Sequence, residues 1–346
     1  MTRGIGYYVH HHGAGHLHRA REIARHLSRP VTLIGTGLGE GEACPTLTLP
    51  DDRRAAHFDG ADGAGARPHA LHYAPIDHEG IRERVALLTR WIAETRPALM
   101  VVDVSVEVAL LARLASVPVI YVRLNGRRTD PPHLEAFRSA EALLAPYHAD
   151  LDDPKMPDWV RNRTAFFPGL VSAMPQARAG AEIVVVAGKG GSTLSPERIA
   201  AAARANPELR FVVAGPVEPV ALCPDNLHFL GWSDTVDARI AGAGCVVGAA
   251  GNGLVGRVLA AGVPFLCLPE DRPFDEQRIQ AAQLARAGAA VVAEHWPAPG
   301  EWPALIAQAK AHAATRPSHL HDAEGPRRAA AWIDAIAARH EQGDAP

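Results

Sequence analysis

The stretch Cys245-Val246-Val247-Gly248-Ala249-Ala250-Gly251-Asn252-Gly253-Leu254-Val255-Gly256, running on through Arg257-Val258-Leu259-Ala260-Ala261 to Gly262-Val263-Pro264, decides how the chain is read. Its first residues form a short apolar run with β-branched side chains, the pattern of a buried strand. The residues after Gly251 suit a helix, and Gly262 stops it. A strand that turns through glycine into a helix leaves backbone N–H groups unpaired and aims the positive end of the helix dipole at one spot. Such a spot suits a phosphate. Pro264-Phe265-Leu266-Cys267-Leu268 reads as the next strand, ended by Pro269, and Asp275-Glu276-Gln277 opens a longer helix that closes at Gly288.

The same kind of unit recurs toward the N-terminus. Glu182-Ile183-Val184-Val185-Val186-Ala187 is a strand that enters Gly188-Lys189-Gly190-Gly191-Ser192-Thr193. A P-loop needs a glycine well before the Gly-Lys pair and a hydroxyl directly after the lysine; Ile183 and Gly190 hold those places, which excludes it. Arg210 to Gly215 and Leu227 to Gly231 read as two more strands, the second leading to Trp232-Ser233. In the first half, Gly6-Tyr7-Tyr8-Val9 runs into His10-His11-His12-Gly13-Ala14-Gly15-His16-Leu17-His18-Arg19. A helix from about His16 to Leu27 follows, with Leu17, Ala20, Ile23, Ala24 and Leu27 at helical spacing. Two strands come next, Val31–Gly35 and Thr46–Pro50, and then a segment from Asp51 to Pro68 without apolar period, which reads as a mobile loop.

A helix over about Glu79–Thr95 precedes Ala98-Leu99-Met100-Val101-Val102-Asp103, a buried parallel-type strand ending on an acid. Residues at such strand ends line the ligand crevice, so Asp103 comes within reach of His16; the competing reading makes it the N-cap of a helix starting near Val104. Val117–Val122 is a further strand leading to Arg123, Arg127 and Arg128, read as solvated charge in preference to a site for a phosphorylated ligand. Ala142-Leu143-Leu144-Ala145 is expected to be the last strand of this half. Strands and helices alternate on both sides of a break, which indicates two Rossmann-like domains over 1–168 and 181–325, with an alanine-rich helix over 326–346.

At 346 residues the chain has room for two domains of ordinary size. Hydrophobic residues make up 47% and charged residues 21%, enough for sizeable cores. A net charge of −3 and a pI near 6.7 argue against a nucleic-acid partner, which would call for a basic face. No stretch is apolar and long enough to span a bilayer, and Met1-Thr2-Arg3-Gly4 leads straight into a strand instead of a signal peptide. A cytoplasmic location is therefore expected. Cys44, Cys223, Cys245 and Cys267 are scattered, without metal-ligand spacing, and read as small core hydrophobes in a reducing compartment. Only Lys155, Lys189 and Lys310 are lysines, so Lys189 stands out among its glycines.

Taken together, Gly251 through Gly262-Val263-Pro264, Pro269, Asp275-Glu276-Gln277 and Ala287-Gly288-Ala289-Ala290 resemble the donor-binding region of MurG-like nucleotide-sugar glycosyltransferases of the GT-B fold. His11-His12-Gly13-Ala14-Gly15-His16-Leu17-His18-Arg19 is similar to that family's G-H-G-x-G-H-x-x-R, with His11 in place of the first glycine. The resemblance implies two Rossmann-like domains facing across a cleft, acceptor side first and donor side second, with the last helix crossing back to the first domain. It implies hexosyl transfer from a nucleoside diphosphate sugar to a hydroxyl, with inversion, no cofactor and no metal. The partners would be the nucleotide sugar and a small-molecule, glycan or lipid-linked acceptor, with peripheral membrane association left open.

His16 is the base candidate because imidazole titrates near neutral pH, and Asp103 would fix its tautomer. By resemblance Gly190, Gly191, Ser192, Gly251, Asn252 and Gly253 meet the donor diphosphate. Trp232 and Ser233 meet the base, Glu276 and Gln277 the donor sugar, and Gly13 and Gly15 belong to the acceptor-side loop. Glu276 replaces a family glutamine. Where the family has a ribose-binding glutamate the chain has Arg257, which grips phosphate but cannot accept the ribose hydroxyl protons. The carry-over of UDP specificity is therefore weak: either the ribose is read elsewhere, or the nucleotide differs, for example dTDP or GDP.

Other readings remain. Gly251-x-Gly253-x-x-Gly256 with Glu270 fits a dinucleotide fingerprint, but it sits late in the chain beside a short helix. A nucleotide-sugar hydrolase or epimerase, or a binding subunit without turnover, would share the two-domain fold. His12 and His16 lie across a turn with no carboxylate between them. Asp150-Leu151-Asp152 has the D-x-D spacing of metal-dependent transferases, yet it follows a Pro-Tyr-His loop and runs into the Asp153-Pro154 turn. No metal site is expected from either.

Overall fold

Each apolar run becomes a parallel strand with both faces covered. The computed structural model describes residues 2–11, 14–39, 42–52, 67–175, 180–188, 194–233 and 235–342. The first sheet and its helices run β1 (Ile5–Val9), α1 (Ala14–Ala24), β2 (Val31–Gly35), β3 (Thr46–Thr48), α2 (Glu79–Thr95), β4 (Leu99–Asp103), α3 (Val106–Leu114), β5 (Val119–Val122), α4 (Pro131–Ser139), β6 (Ala142–Ala145), α5 (Asp158–Asn162) and β7 (Thr164–Phe166). The second runs β8 (Glu182–Val186), α6 (Pro196–Ala205), β9 (Arg210–Ala214), β10 (Leu227–Gly231), α7 (Val236–Ala241), β11 (Cys245–Gly248), α8 (Asn252–Ala261), β12 (Phe265–Cys267), α9 (Glu276–Arg286), β13 (Val291–Val292), α10 (Trp302–Thr315) and α11 (Gly325–Gln342).

The strand orders are β3-β2-β1-β4-β5-β6-β7 and β10-β9-β8-β11-β12-β13. All recorded pairings are parallel, with Ile5 opposite Val31 and Leu99, and Val184 opposite Val212 and Val246. In both sheets the order turns around beside the first strand, between β1 and β4 and between β8 and β11. Connections leave to opposite faces there, which opens a crevice at the strands' carboxyl ends.

Five consecutive residues of β4 are wholly buried, the mark of a strand covered on both faces. Asp103 is the exception in chemistry, a carboxylate with no exposure at the end of an apolar run. Caps follow the sequence where they were legible. His78 accepts from the Ile81 N–H at the start of α2, and Gly262, at φ +68, closes α8. Cys245 and Cys267 are free and buried, and burial pushes both thiols up to about 12.

The first sheet has one strand more than expected. β7 is a three-residue, half-buried edge strand that pairs with β6 after the short α5, too brief to show a period. Of the arginines read as solvated, Arg127 is exposed and the other two differ. Arg123 is fully buried, with Nη1 and Nη2 donating to Asp152 at 2.8 and 2.9 Å, and Arg128 is 5% exposed. Asp152 is thus spent on an internal ion pair, so the D-x-D tandem does not act as two neighbouring ligands.

The last helix belongs to the first sheet's apolar layer. Ala329, Ala330, Ile333, Ile336 and Ala337 are buried with Tyr7, Ala20, Ile23 and Leu99, and Trp332 lies 5.4 Å from Phe167 ring to ring. Polar clamps flank the seam: the Ser28 N–H donates to Asp334 at 2.8 Å, and Arg29 pairs with Glu341 at 2.9 Å. Among the described residues no helix is long and apolar enough to cross a membrane. Truncating Ile333 to alanine should cost about 2–5 kcal/mol in denaturant unfolding, the usual range for a core aliphatic. A loss under about 0.5 kcal/mol, the surface range, would show that α11 is not part of that core.

Candidate active site

The end of β1 and the end of β4 flank the first crevice, and each contributes one half of a buried polar cluster. His16 is the third residue of α1, and its Nδ1 lies 3.0 Å from Asp103 Oδ2. Arg19, one turn further along α1, brings Nη2 to 3.0 and 2.7 Å from the two Asp103 oxygens and 3.1 Å from His16 Nδ1. Burial alone would raise the Asp103 carboxyl, but Arg19 and His16 outweigh it and hold the group well below the usual carboxylate range. An anion there assigns the imidazole proton to Nδ1, which leaves Nε2 as the nitrogen able to take another. Burial, with Asp103 adding to it, raises the nearby Tyr7 hydroxyl, so it stays neutral.

Backbone geometry explains why Asp103 faces His16 instead of capping α3. Val104 has φ +64, a left-handed conformation that is an outlier for a β-branched residue and costs on the order of 1–3 kcal/mol. The Tyr121 hydroxyl donates to the Val104 carbonyl, and the Ser105 N–H donates to that of Asp103 at 2.9 Å. This tight turn hands the cap to Ser105, whose hydroxyl accepts from the Val108 N–H.

One turn along α1, His18 meets the inter-sheet segment. The Ser172 N–H donates to His18 Nε2 at 3.1 Å, and Ser172 Oγ donates to Glu22 at 2.8 Å. Burial and then the Arg257 charge on α8 lower the His18 pKa, against Glu22 and Asp237, which raise it. α1 reaches the inter-sheet segment at Ser172, and α8 reaches it one residue earlier, at Val171. Gly256 lets the inter-sheet segment lie on α8, since a Cβ there would come within 2.7 Å of Val171.

α8 starts directly after β11. Gly251 is its N-cap and supplies no side-chain oxygen, so no cap competes for the first N–H groups. Asn252 Oδ1 accepts from Gln280 at 3.2 Å, while its buried Nδ2 has no partner among the described residues. Gly253 and Gly256 lie inside the helix, and Glu270, the acid of the dinucleotide reading, pairs with Arg272. Arg257 is held by Asp237 at 2.7 Å. Trp232 is 56% exposed and thus not core, and Ser233 Oγ accepts from the Thr235 N–H at 3.1 Å.

Glu276 and Gln277 sit where the two lobes touch. Arg128 Nη2 donates to Glu276 at 2.7 Å and its guanidinium lies 4.7 Å above the Phe274 ring, which also packs on His133. The Arg127 N–H donates to the Phe274 carbonyl at 2.7 Å. A Cβ on Gly126 would come within 2.9 Å of that same oxygen, and its φ of +102 suits glycine alone. Phe274 and Asp275 are both left-handed, at φ +63 and +53. Gln277 Oε1 accepts from the buried Glu270 N–H at 2.8 Å and so shapes the loop before α9.

Gly15 is exposed at the mouth of α1. Gly13, Gly190, Gly191 and Ser192, with Lys189 and the loop over 53–66, lie outside the described residues. Two residues received no role from sequence: Arg19, although it ends the G-x-G-H-x-x-R pattern, and Arg128. Their signals were present, but only the fold brings them to Asp103 and Glu276. Near the crevice His11, Asp51 and Asp52 converge, but Arg84 already lies 3.3 Å from Asp52.

No family model and no curated protein matches the chain. Solved structures do. The kitacinnamycin glycotransferase superposes with a TM-score of 0.72 at 17% identity, covering 97% of this chain and 100% of that one. MurG of Acinetobacter baumannii gives 0.64 at 14%, covering 97% and 100%. The spinosyn rhamnosyltransferase SpnG complexed with thymidine diphosphate gives 0.57 at 19%, covering 99% and 100%. The chain shares their two-domain GT-B fold over nearly its whole length.

Two outcomes check the cluster. Asp103→Asn leaves Arg19 buried without its anion and should cost about 3–5 kcal/mol in urea unfolding; a cost below about 1 kcal/mol would show that the pair is not buried as described. A His with a folded pKa below its ordinary value contributes stability that is full above about 6.5 and lost as pH falls below it. The stability gap between wild type and His18→Asn should therefore narrow from about pH 7 to about pH 5, and a constant gap would exclude a neutral His18.

Proposed function

We propose that the chain is a glycosyltransferase that moves a sugar from a nucleoside diphosphate sugar to a hydroxyl acceptor. The observation that carries this reading is the pairing of two unlike crevices. One holds the oriented His16–Asp103 pair, and the other opens on the uncapped N-terminus of α8, with α1 and α8 both touching the segment at Val171 and Ser172. A base and an anion site facing one cleft are what transfer needs. His16 Nε2 takes the acceptor proton as that oxygen bonds to the anomeric carbon. The bond from that carbon to the diphosphate breaks, and the diphosphate leaves with the electron pair. Attack from the side opposite the leaving group gives inversion.

Asp103 holds the Nδ1 proton and stabilises the imidazolium that forms. The first N–H groups of α8, with Asn252, meet the developing diphosphate charge, and fixed dipoles of this kind can take the place of a metal. Arg257 is close enough to α1 to add a positive charge once a phosphate competes with Asp237. The exposed Trp232 offers a face for the base. A thymidine diphosphate complex among the structural neighbours supports trying dTDP beside UDP and GDP as the donor's nucleotide.

Thermal melting with UDP, dTDP and GDP should show one of them raising the transition by about 2.7 kcal/mol at a hundredfold excess over its Kd. If none moves the transition, the reading is wrong. His16→Ala should keep that nucleotide shift while transfer falls by about 10²–10⁴-fold. Transfer surviving within about tenfold would take the base role from His16.

A further inference from the structure

Three side chains with metal-ligand chemistry converge at the junction of the lobes, outside the His16–Asp103 cluster. His148 and Asp150 belong to the turn after β6, and His319 to the short turn Ser318–Leu320 that leads into α11. His319 Nε2 lies 2.8 Å from Asp150 Oδ2, and His148 Nδ1 lies 3.5 Å from the same oxygen. The two imidazole centroids are 4.5 Å apart. We propose that His148, Asp150 and His319 bind one divalent transition-metal ion of the zinc type.

Spacing supports this first. A tetrahedral ion with metal–ligand bonds of about 2.0–2.2 Å places its donors about 3.3 Å apart, and the three donor atoms here lie within 4.8 Å of one another. Donor chemistry points the same way. Two imidazoles and one carboxylate suit zinc, nickel or copper, whereas calcium and magnesium want an all-oxygen shell. The side chains are 29%, 53% and 52% exposed, which leaves water a fourth position and the ion an open route of entry.

The third support is rigidity. Leu151, next to Asp150, and Leu320, next to His319, are 1% and 2% exposed and share one apolar layer of the second sheet. Arg286 on α9 donates to the Asp150 carbonyl at 3.1 Å, and Asp152 is locked by Arg123. The ligands thus stand on two anchored turns, far apart in sequence, and an ion would take His148 Nδ1 from the Asp150 N–H, which donates to it at 3.2 Å. Among the described residues no arginine side chain bonds to the Asp150 carboxylate in the way that Arg84 meets Asp52. A bound ion would tie the first lobe's last turns to the crossover that delivers α11. This site stands apart from the proposed transfer reaction, and its test needs no substrate.

The test is a titration of the EDTA-treated full chain with zinc sulfate by calorimetry, with melting curves in zinc and in EDTA. Wild type should bind an equivalent that His148→Ala/His319→Ala loses, or binds more than about tenfold more weakly. Zinc should also raise the melting temperature of wild type but not of the variant. Equal melting in EDTA shows that the variant folds; should it melt lower, the single His319→Gln change replaces it under the same criteria. Cobalt substitution should give tetrahedral ligand-field bands that disappear with either histidine change. No zinc binding by wild type overturns the proposal. So does an equivalent that survives both histidine changes but is lost in His11→Ala, since that ion would belong to the crevice cluster.

Discussion

A parallel strand can be followed by another only after its chain has crossed one face of the sheet, and the whole molecule depends on where those crossings change face. The change falls beside β1 in the first sheet and beside β8 in the second. At each point two strand ends are left with their following loops turned apart. The first gap receives α1 and the β4 terminus, hence an imidazole and a carboxylate. The second receives the glycine-rich turn before α8. One rule of chain geometry, used twice, thus places the His16–Asp103 pair at one gap and the start of α8 at the other, and the sequence needs only the right few residues at four strand ends.

Keeping those residues in position is costly. A carboxylate without solvent exposure is tolerated only with charge and donors around it, and Asp103 has both from Arg19 and His16. Arg19 and His16 together keep the acid ionised, and Arg19 does so through one nitrogen, Nη2, that reaches both oxygens. Strain is placed beside function as well. Val104 turns the chain at once after Asp103, and Phe274 with Asp275 does the same where the two lobes meet. In both places an ordinary residue holds a conformation that favours glycine, secured by hydrogen bonds to the neighbouring backbone.

Much of this was legible in the sequence because it rests on short-range patterns. The buried strands show as apolar runs, α1 shows its period, and Gly262 marks the end of α8. Asp103 was readable because an acid that closes an apolar run is out of place unless its charge is used there. What stayed hidden depends on contacts between distant residues. Arg123 and Asp152 each look like surface charge until the fold buries them together. Arg128 acquires meaning only when Glu276 arrives from the other lobe, and β7 is too short to carry a period. Trp232 was ambiguous for the opposite reason: an exposed indole and a core indole are spelled alike.

The α11 helix has a consequence for how the molecule is made. Its alanines and isoleucines complete an apolar layer whose other members come from β1, α1 and β4. On the ribosome those early strands emerge long before the helix that covers them, and they must wait with an unfinished face while the entire second lobe is synthesised. The second lobe has no such debt to later residues, since its cores draw on segments already translated. Vectorial synthesis thus favours the later lobe settling first, against the usual N-terminal-first order. A chain released just short of Gly325 would carry one finished lobe and one in need of a chaperone.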